Sequence, residues 1–327
     1  MPFTEQPTSL ASRYSDRVIK SRPLVAIVGP TAVGKTEIAL QIAERMQGEI
    51  VSADSRLLYR GMDIGTAKPS PTELSRVPHS LVDVAEPDQV WSLASFKAAA
   101  TQAIQEIHSR GRLPFLVGGT GQYIRAILEQ WDIPSAQPNL QLRKVLEQMA
   151  DQETGQRLHQ HLATLDPAAA ITIDPRNVRR TVRAMEVILT SGRRFSSLRG
   201  KTSSPYQVLV IGLKRSRTEL YARIDARVDK MIERGLVSEV QKLLAKGFSP
   251  DLPTLSAIGY REINAYLNGE ISLEDAVVQM KRKTRIFVRR QANWFKETDP
   301  NIRWFEVHPA VVDEIEREIW EWLEILF

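Results

Sequence analysis

The 327-residue sequence contains no cysteine, which excludes a disulfide framework, a thiolate zinc centre and a cysteine nucleophile. Its 5 histidines are scattered and have no metal-ligand spacing. No stretch approaches the roughly 20 apolar residues of a membrane span. Residues 1–20 are polar, include Glu5 and Asp16, and have no continuous apolar segment of the kind a secretory signal needs. They read as a loose tail, and a cytoplasmic setting is expected. Neither an internal repeat nor a low-complexity segment is present. What remains is the composition of a soluble globular protein, 43% hydrophobic and 25% charged, long enough for one large domain or two ordinary ones. The formal charge of +5 leans towards a polyanionic partner. The placement of the basic residues says more than the total.

The most informative segment is Gly29-Pro-Thr-Ala-Val-Gly-Lys-Thr36, which matches the phosphate-cradling pattern G-x-x-x-x-G-K-[ST] also used by ATP-binding proteins. Its flanks fit. Leu24 to Val28 is an apolar run suited to a buried parallel strand, and Ile38, Ile42 and Met46 recur at helical spacing. A loop between such elements turns its N–H groups around an anion, and the next helix adds its positive end. Gly29, Pro30, Thr31, Ala32, Val33, Gly34, Lys35 and Thr36 are therefore candidate diphosphate-binding residues. Lys35 supplies a full charge, and Thr36 is placed to hold Mg²⁺.

Strand-like and helical stretches alternate as far as residue 130. Glu49 to Ala53, Leu81 to Val84 and Pro114 to Val117 read as strands, with a helix around Leu93 to Ile107. Ligands of such sheets bind beyond the carboxyl ends of the strands, so Asp54, Asp83 and Thr120 are expected on the phosphate-binding edge. Pro134, Gln137 and Pro138 then break the chain. Helical patterns follow until Gln207 to Leu213, the next strand signal. The expected architecture is α/β, with a P-loop NTPase-like parallel sheet core from 21–132 and 205–327. A helical insertion domain at 133–204 and a helical C-terminal region complete it.

Three helices carry the basic residues. In Val178 to Leu189, the apolar face of Val178, Val182, Met185 and Leu189 leaves Arg179, Arg180 and Arg183 outside, with Glu186 as the single acid. Such a helix has too few acids for i,i+4 pairing and suits an anionic partner. In the second, Arg282, Arg285, Arg289 and Lys296 share an arc with no acid to neutralise it, suited to phosphodiester contacts. Phe287, Val288, Trp294 and Phe295 are expected on the opposite, buried side. In Arg217 to Arg234, Leu220, Ile224, Val228 and Met231 form a core face, and Arg223 with Glu219 reads as an ordinary helical ion pair. Asp54, directly after an apolar strand, suits a Mg²⁺ ligand or a general base, or simply an N-cap. Thr120 sits in Gly118-Gly-Thr-Gly121, whose glycines let backbone approach a ligand.

Together these blocks resemble the bacterial tRNA dimethylallyltransferase (isopentenyltransferase) family. The resemblance rests on Gly29–Thr36, on Asp54 to Pro69 with its specific run Gly61-Met-Asp-Ile-Gly-Thr-Ala-Lys68, on Gly118 to Tyr123, on Arg179 to Val187, on Ala257 to Glu262 and on Thr284 to Phe295. It spans about residues 24 to 306. It implies transfer of a dimethylallyl group from dimethylallyl diphosphate to N6 of the adenosine 3′ of the anticodon (position 37) in tRNAs reading codons that begin with U, with Mg²⁺ as cofactor. By the same resemblance Asp54, Thr120 and Arg223 are catalytic. The tRNA anticodon stem-loop would be held by Asp54, Ser55, Arg56, Leu57, Thr120, Arg179, Arg180, Thr181, Val182, Arg183, Arg282, Arg285 and Arg289. A monomer suffices. The rival readings are prenylation of a free adenine nucleotide, a small-molecule kinase or ATPase, and an RNA-binding GTPase, the last lacking an Asn-Lys-x-Asp run.

Overall fold

The computed structural model describes residues 22–133, 139–152, 155–199 and 204–326. The expected tail at 1–20 and the chain-breaking Pro134, Gln137 and Pro138 lie outside them. The chain divides into two compact units, one of 22–92, 96–128 and 205–326, the other of Leu93–Ser95 and the described part of Glu129–Ser204.

The first unit is built on six parallel strands, β1 Pro23–Val28, β2 Glu49–Ser52, β3 His79–Ser80, β4 Pro114–Val117, β5 Gln207–Lys214 and β6 Ile302–Glu306. Their order is β3-β2-β4-β1-β5-β6. Every residue of β1 is buried, as a strand covered on both faces requires, and reads as a continuous apolar run. It pairs with β4 (Val25 opposite Phe115) and with β5 (Val25 opposite Leu209). Helix α1, Lys35–Arg45, lays Ile38, Ala39 and Ile42 onto this sheet beside Val25, Phe115 and Ile211. Each buried isoleucine here contributes about 1.5–3 kcal/mol. Because β2, β4, β1 and β5 are neighbours, the loops leaving their carboxyl ends converge on one edge. Those loops carry Asp54, Gly118–Gly121, the glycine-lysine loop and Arg215.

The remaining helices of this unit are α2 Pro71–Arg76, α3 Leu93–Ser109, whose first turn belongs to the other unit, α4 Gly121–Leu128, α9 Arg217–Glu233, α10 Leu236–Ala245, α11 Tyr260–Leu267, α12 Leu273–Gln291 and α13 Val311–Leu326. Helices α9 and α11 both pack on α12. Leu220, Ile224, Val228 and Met231 are all buried along α9, as their spacing predicts. Among the described residues, no helix is long and apolar enough to cross a membrane.

The stretch Leu81 to Val84 is not a strand. Leu81 and Asp83 take left-handed φ values of 64° and 54°, which a strand does not accommodate. Asp83 N–H instead donates to Leu57 O (3.1 Å) and Val84 N–H to Leu58 O (2.8 Å), while the Asp83 carboxylate pairs with Lys68. Asp83 lines neither cavity that holds the glycine-lysine loop, contrary to its expected place.

The second unit contains α5 Leu140–Gln152, α6 Gln156–Leu165, α7 Pro167–Thr172 and α8 Val178–Ser191, followed by a 3₁₀ turn at Phe195–Arg199. Leu146, Leu158, Leu162, Val182 and Met185 form its core. The face of α8 is rotated from the expected one, since Leu189 is exposed and Thr181, Ala184, Glu186 and Val187 are buried. The carboxylate of buried Glu186 accepts from Asn139 N–H (2.9 Å) and pairs with Arg143 (2.8 Å) and Arg183 (2.7 Å).

Candidate active site

The glycine-lysine loop is shaped by two backbone positions that side chains rarely accept. Gly29 has φ 147° and Gly34 φ 114°, and a Cβ on Gly29 would lie 2.6 Å from Leu213 O. Ala32 also takes a left-handed φ of 67°, a conformation that costs about 1–2 kcal/mol and is sustained by its surroundings. Three side chains from distant segments hold the loop. Arg223 Nε donates to Ala32 O (2.8 Å), Arg215 Nε to Val33 O (2.9 Å), and Gln291 Oε1 accepts from Thr31 N–H (2.8 Å). Lys35 folds back to donate to Gly29 O (2.9 Å) and Pro30 O (2.8 Å). Burial lowers the Lys35 pKa to about 8, with Asp54 opposing that shift and Arg227 adding to it.

Two cavities meet at this edge. A polar one of about 460 Å³ is lined by Thr31, Ala32, Gly34, Lys35 and Thr36 together with Arg223. The other, of about 490 Å³, has apolar walls from Ile224, Val228, Met280, Phe287 and Trp294 and a polar mouth from Ser55, Arg56 and Thr120. Thr31, Asp54, Thr66, Arg227 and Met231 line both. Asp54 therefore stands at the seam between a cationic cradle and an apolar chamber. Its Oδ1 accepts from Arg56 N–H (2.9 Å), a local Asx-type bond that holds the turn. Thr120 Oγ1 accepts from Ser55 N–H (3.2 Å). Arg227 donates to Thr66 O (3.0 Å); burial lowers its pKa and nearby Asp54 opposes the shift.

A glycine-lysine loop opening onto an apolar chamber that shares a carboxylate with it agrees with what comparison with known proteins finds. The IPP transferase family model matches residues 57–298, and the isopentenyl transferase model matches residues 23–85. The chain belongs to the IPP transferase family. It is 51% identical over 288 residues to a tRNA dimethylallyltransferase of Thermomicrobium roseum, covering 88% of this chain and 87% of that one. A tRNA dimethylallyltransferase of Chloroflexus aurantiacus is also 51% identical, over 88% of this chain and 97% of its own. Among solved structures, the full-length tRNA isopentenylpyrophosphate transferase of Bacillus halodurans is 42% identical, with a TM-score of 0.70 over 94% of this chain and 98% of that one. A eukaryotic dimethylallyltransferase shares the fold, with a TM-score of 0.77 at 24% identity. The core is thus the P-loop NTPase-like sheet expected from the sequence.

Within this family member, the expected site residues divide. Of the loop residues, Thr31, Ala32, Gly34, Lys35 and Thr36 face the polar cavity, while Val33 is fully buried in the core. Arg223 does not pair with Glu219, which is taken instead by Arg215; that frees it to cap the loop. Ser55 and Arg56 line the apolar cavity and Leu57 the polar one. Arg56 also donates to Pro253 O (3.2 Å).

The basic helices are less free than the sequence suggests. Arg285 pairs with Asp225 of α9 and lies over the Tyr221 ring (5.3 Å), so the arc on α12 does have a neutralising acid. Arg282 and Arg289 are exposed. Helix α12 ends at Gln291, which takes Lys296 out of the expected basic arc and Trp294 off the helix's opposite face. Phe287 and Trp294, expected in the core, line the apolar cavity. In the second unit Arg179 is exposed, Arg180 half-buried, and Arg183 paired with Glu186. Thr181 and Val182, expected among RNA contacts, are 0% and 2% exposed and pack into that unit's own interior.

Sequence reasoning passed over Arg227 and Gln291. Arg227 follows Arg223 by one helical turn, a spacing visible in the sequence but indistinguishable from an ordinary charged face. The run Gly61–Lys68 also receives a structural reason. Buried Glu239 accepts from Asp63 N–H (3.0 Å), Ile64 N–H (2.7 Å), Gly65 N–H (3.1 Å) and Tyr260 OH (2.7 Å). A Cβ on Gly65 would lie 2.5 Å from the Tyr260 ring. Buried Lys68 donates to Tyr59 O (2.8 Å) and pairs with Asp63 (2.6 Å).

Proposed function

We propose that the protein transfers a dimethylallyl group from dimethylallyl diphosphate to N6 of adenosine 37, on the 3′ side of the anticodon, in tRNAs reading codons that begin with U. The observation that carries this reading is the position of Asp54 at the seam of the two cavities. The diphosphate occupies the polar cradle. The loop N–H groups, Lys35 and Arg223 then face the oxygens on which negative charge accumulates as the C1–O bond breaks. The dimethylallyl chain extends into the apolar chamber, which an unstacked adenosine enters from the side of Ser55 and Thr120. N6 attacks C1, the bonding pair of the C1–O bond leaves with the diphosphate, and Asp54 accepts the N6 proton as the N–C bond forms. Thr120 holds the Asp54 turn through Ser55. Arg179, Arg180, Arg282 and Arg289 meet the RNA backbone.

Among the described residues no group of three or more His, Cys, Asp and Glu could hold a metal ion. The donor set nevertheless fits Mg²⁺, which needs few protein ligands when substrate phosphates complete its shell. The Thr36 hydroxyl beside the cradle would hold it. Bound there, it would neutralise part of the diphosphate charge. A tRNA substrate supports a cytoplasmic setting.

The deciding experiment combines the protein with Mg²⁺, dimethylallyl diphosphate and unmodified tRNA and looks by mass for prenylated adenosine. Transfer to AMP but not to tRNA, or nucleotide hydrolysis without prenyl transfer, overturns the reading.

A further inference from the structure

Gln291, the last residue of α12, is 8% exposed, yet both ends of its amide are engaged. Oε1 accepts from Thr31 N–H (2.8 Å) in the phosphate loop, and Nε2 donates to Gly119 O (3.1 Å) in the turn that carries Thr120. The partners fix the orientation of the amide, since reversing it would set N–H against N–H and oxygen against oxygen. The two loops leave different strands, β1 and β4, and lie 260 and 172 residues from Gln291. The bridge joins them, and Gln291 itself lines the apolar cavity. Thr31 lines both cavities, whereas Gly119 and Thr120 line the apolar one. Thr120 in turn accepts from Ser55 N–H (3.2 Å), next to Asp54. The volume alone does not call for an amide here, because methionine fills a similar space without polar groups.

We infer that Gln291 is a positioning residue that couples occupancy of the phosphate loop to binding of the acceptor adenosine, an inference that rests on the function proposed above. A diphosphate entering the loop displaces Thr31, and the Gln291 amide, bonded to both loops, passes that movement through Gly119 O to the Thr120 turn that shapes the acceptor side. Coupling of this kind is reciprocal, so RNA tightens diphosphate binding by the same factor.

The test uses the full chain, a fluorescently labelled unmodified anticodon stem-loop, and inorganic pyrophosphate with Mg²⁺. The dissociation constant of the RNA is measured with and without saturating pyrophosphate in the wild type, in Gln291→Met and in Gln291→Glu. Pyrophosphate is expected to tighten RNA binding by about fivefold or more in the wild type, the lower range of measured couplings. In Gln291→Met, which keeps the bulk and loses both bonds, the ratio falls to about one. Gln291→Glu keeps an acceptor for Thr31 but has no N–H for Gly119 O, so its ratio also falls. It answers the question if the methionine variant does not fold. A merely structural glutamine would lower thermal stability or both affinities while leaving their ratio intact. An unchanged ratio in the variants overturns the inference, as does a ratio of one in the wild type. If the wild type binds both ligands without coupling, only this inference falls. If it binds neither, the proposed function falls with it.

Discussion

Replacing Asp54 by asparagine separates its two jobs. The carboxylate holds a turn, through Oδ1 and Arg56 N–H at 2.9 Å, and it stands where a proton acceptor is needed. Asparagine retains an amide oxygen for Arg56, so the Ser55–Leu57 segment keeps its place, but it cannot take the N6 proton. A lost general base costs about 10²–10⁴ in turnover, which is about 2.7–5.4 kcal/mol of activation free energy at 1.36 kcal/mol per decade. Donor affinity should hold, because the cradle of Lys35, Arg223 and the loop amides is untouched and a negative charge has left the seam. The assay is single-turnover prenyl transfer at saturating RNA and donor, with donor affinity measured separately by calorimetry. Asp54→Ala removes the Arg56 bond as well and should add a loss of RNA affinity that asparagine does not show. Unchanged turnover in Asp54→Asn, or a loss matched by an equal loss of donor affinity, would refute the assignment.

Lys35 offers a pH test. With its pKa lowered to about 8 by burial, it is charged at pH 7 and largely neutral at pH 9. The charged form binds a diphosphate better, so donor affinity should fall about tenfold between those pH values. Lys35→Arg, which stays charged, should flatten the fall; a wild-type profile that is already flat would exclude the role. For RNA, Arg282→Ala with Arg289→Ala should reduce the slope of log affinity against log salt by about 1.4–1.8. Arg285→Ala, which breaks the pair with Asp225, should lower the melting temperature more than the slope. Equal slope changes from all three positions would refute that division.

The glycine-lysine loop was readable because its determinants are local: an apolar strand, two glycines at positive φ and a helix start lie within a dozen residues. The position of Asp54 was readable for the same reason, as the residue after a strand. What could not be read depends on which helix meets which. Periodicity assigns Arg285 to a polar face, but only the packing of α9 on α12 brings it Asp225, 60 residues away. The same limit placed Phe287 and Trp294 in a core, since an apolar side chain lining a chamber and one filling it leave the same pattern. Glu186 reads in the sequence as the single acid of a basic helix, but it is buried and pairs with Arg143 and Arg183. Leu81 to Val84 misled because β-prone residues can occupy a turn when a lysine such as Lys68 anchors it.

The Glu239 carboxylate gathers three successive N–H groups from a segment about 175 residues earlier in the chain. That segment is therefore only half of a lock whose key is stored in the C-terminal half. Removing the glutamate alone, as in Glu239→Ala, would leave three inward-facing main-chain donors unanswered. Thr66, and with it the anchor of Arg227, would drift. Because those donors belong to the main chain, the spelling of the run records its docking partner chiefly at Gly65, where a Cβ would meet the Tyr260 ring at 2.5 Å.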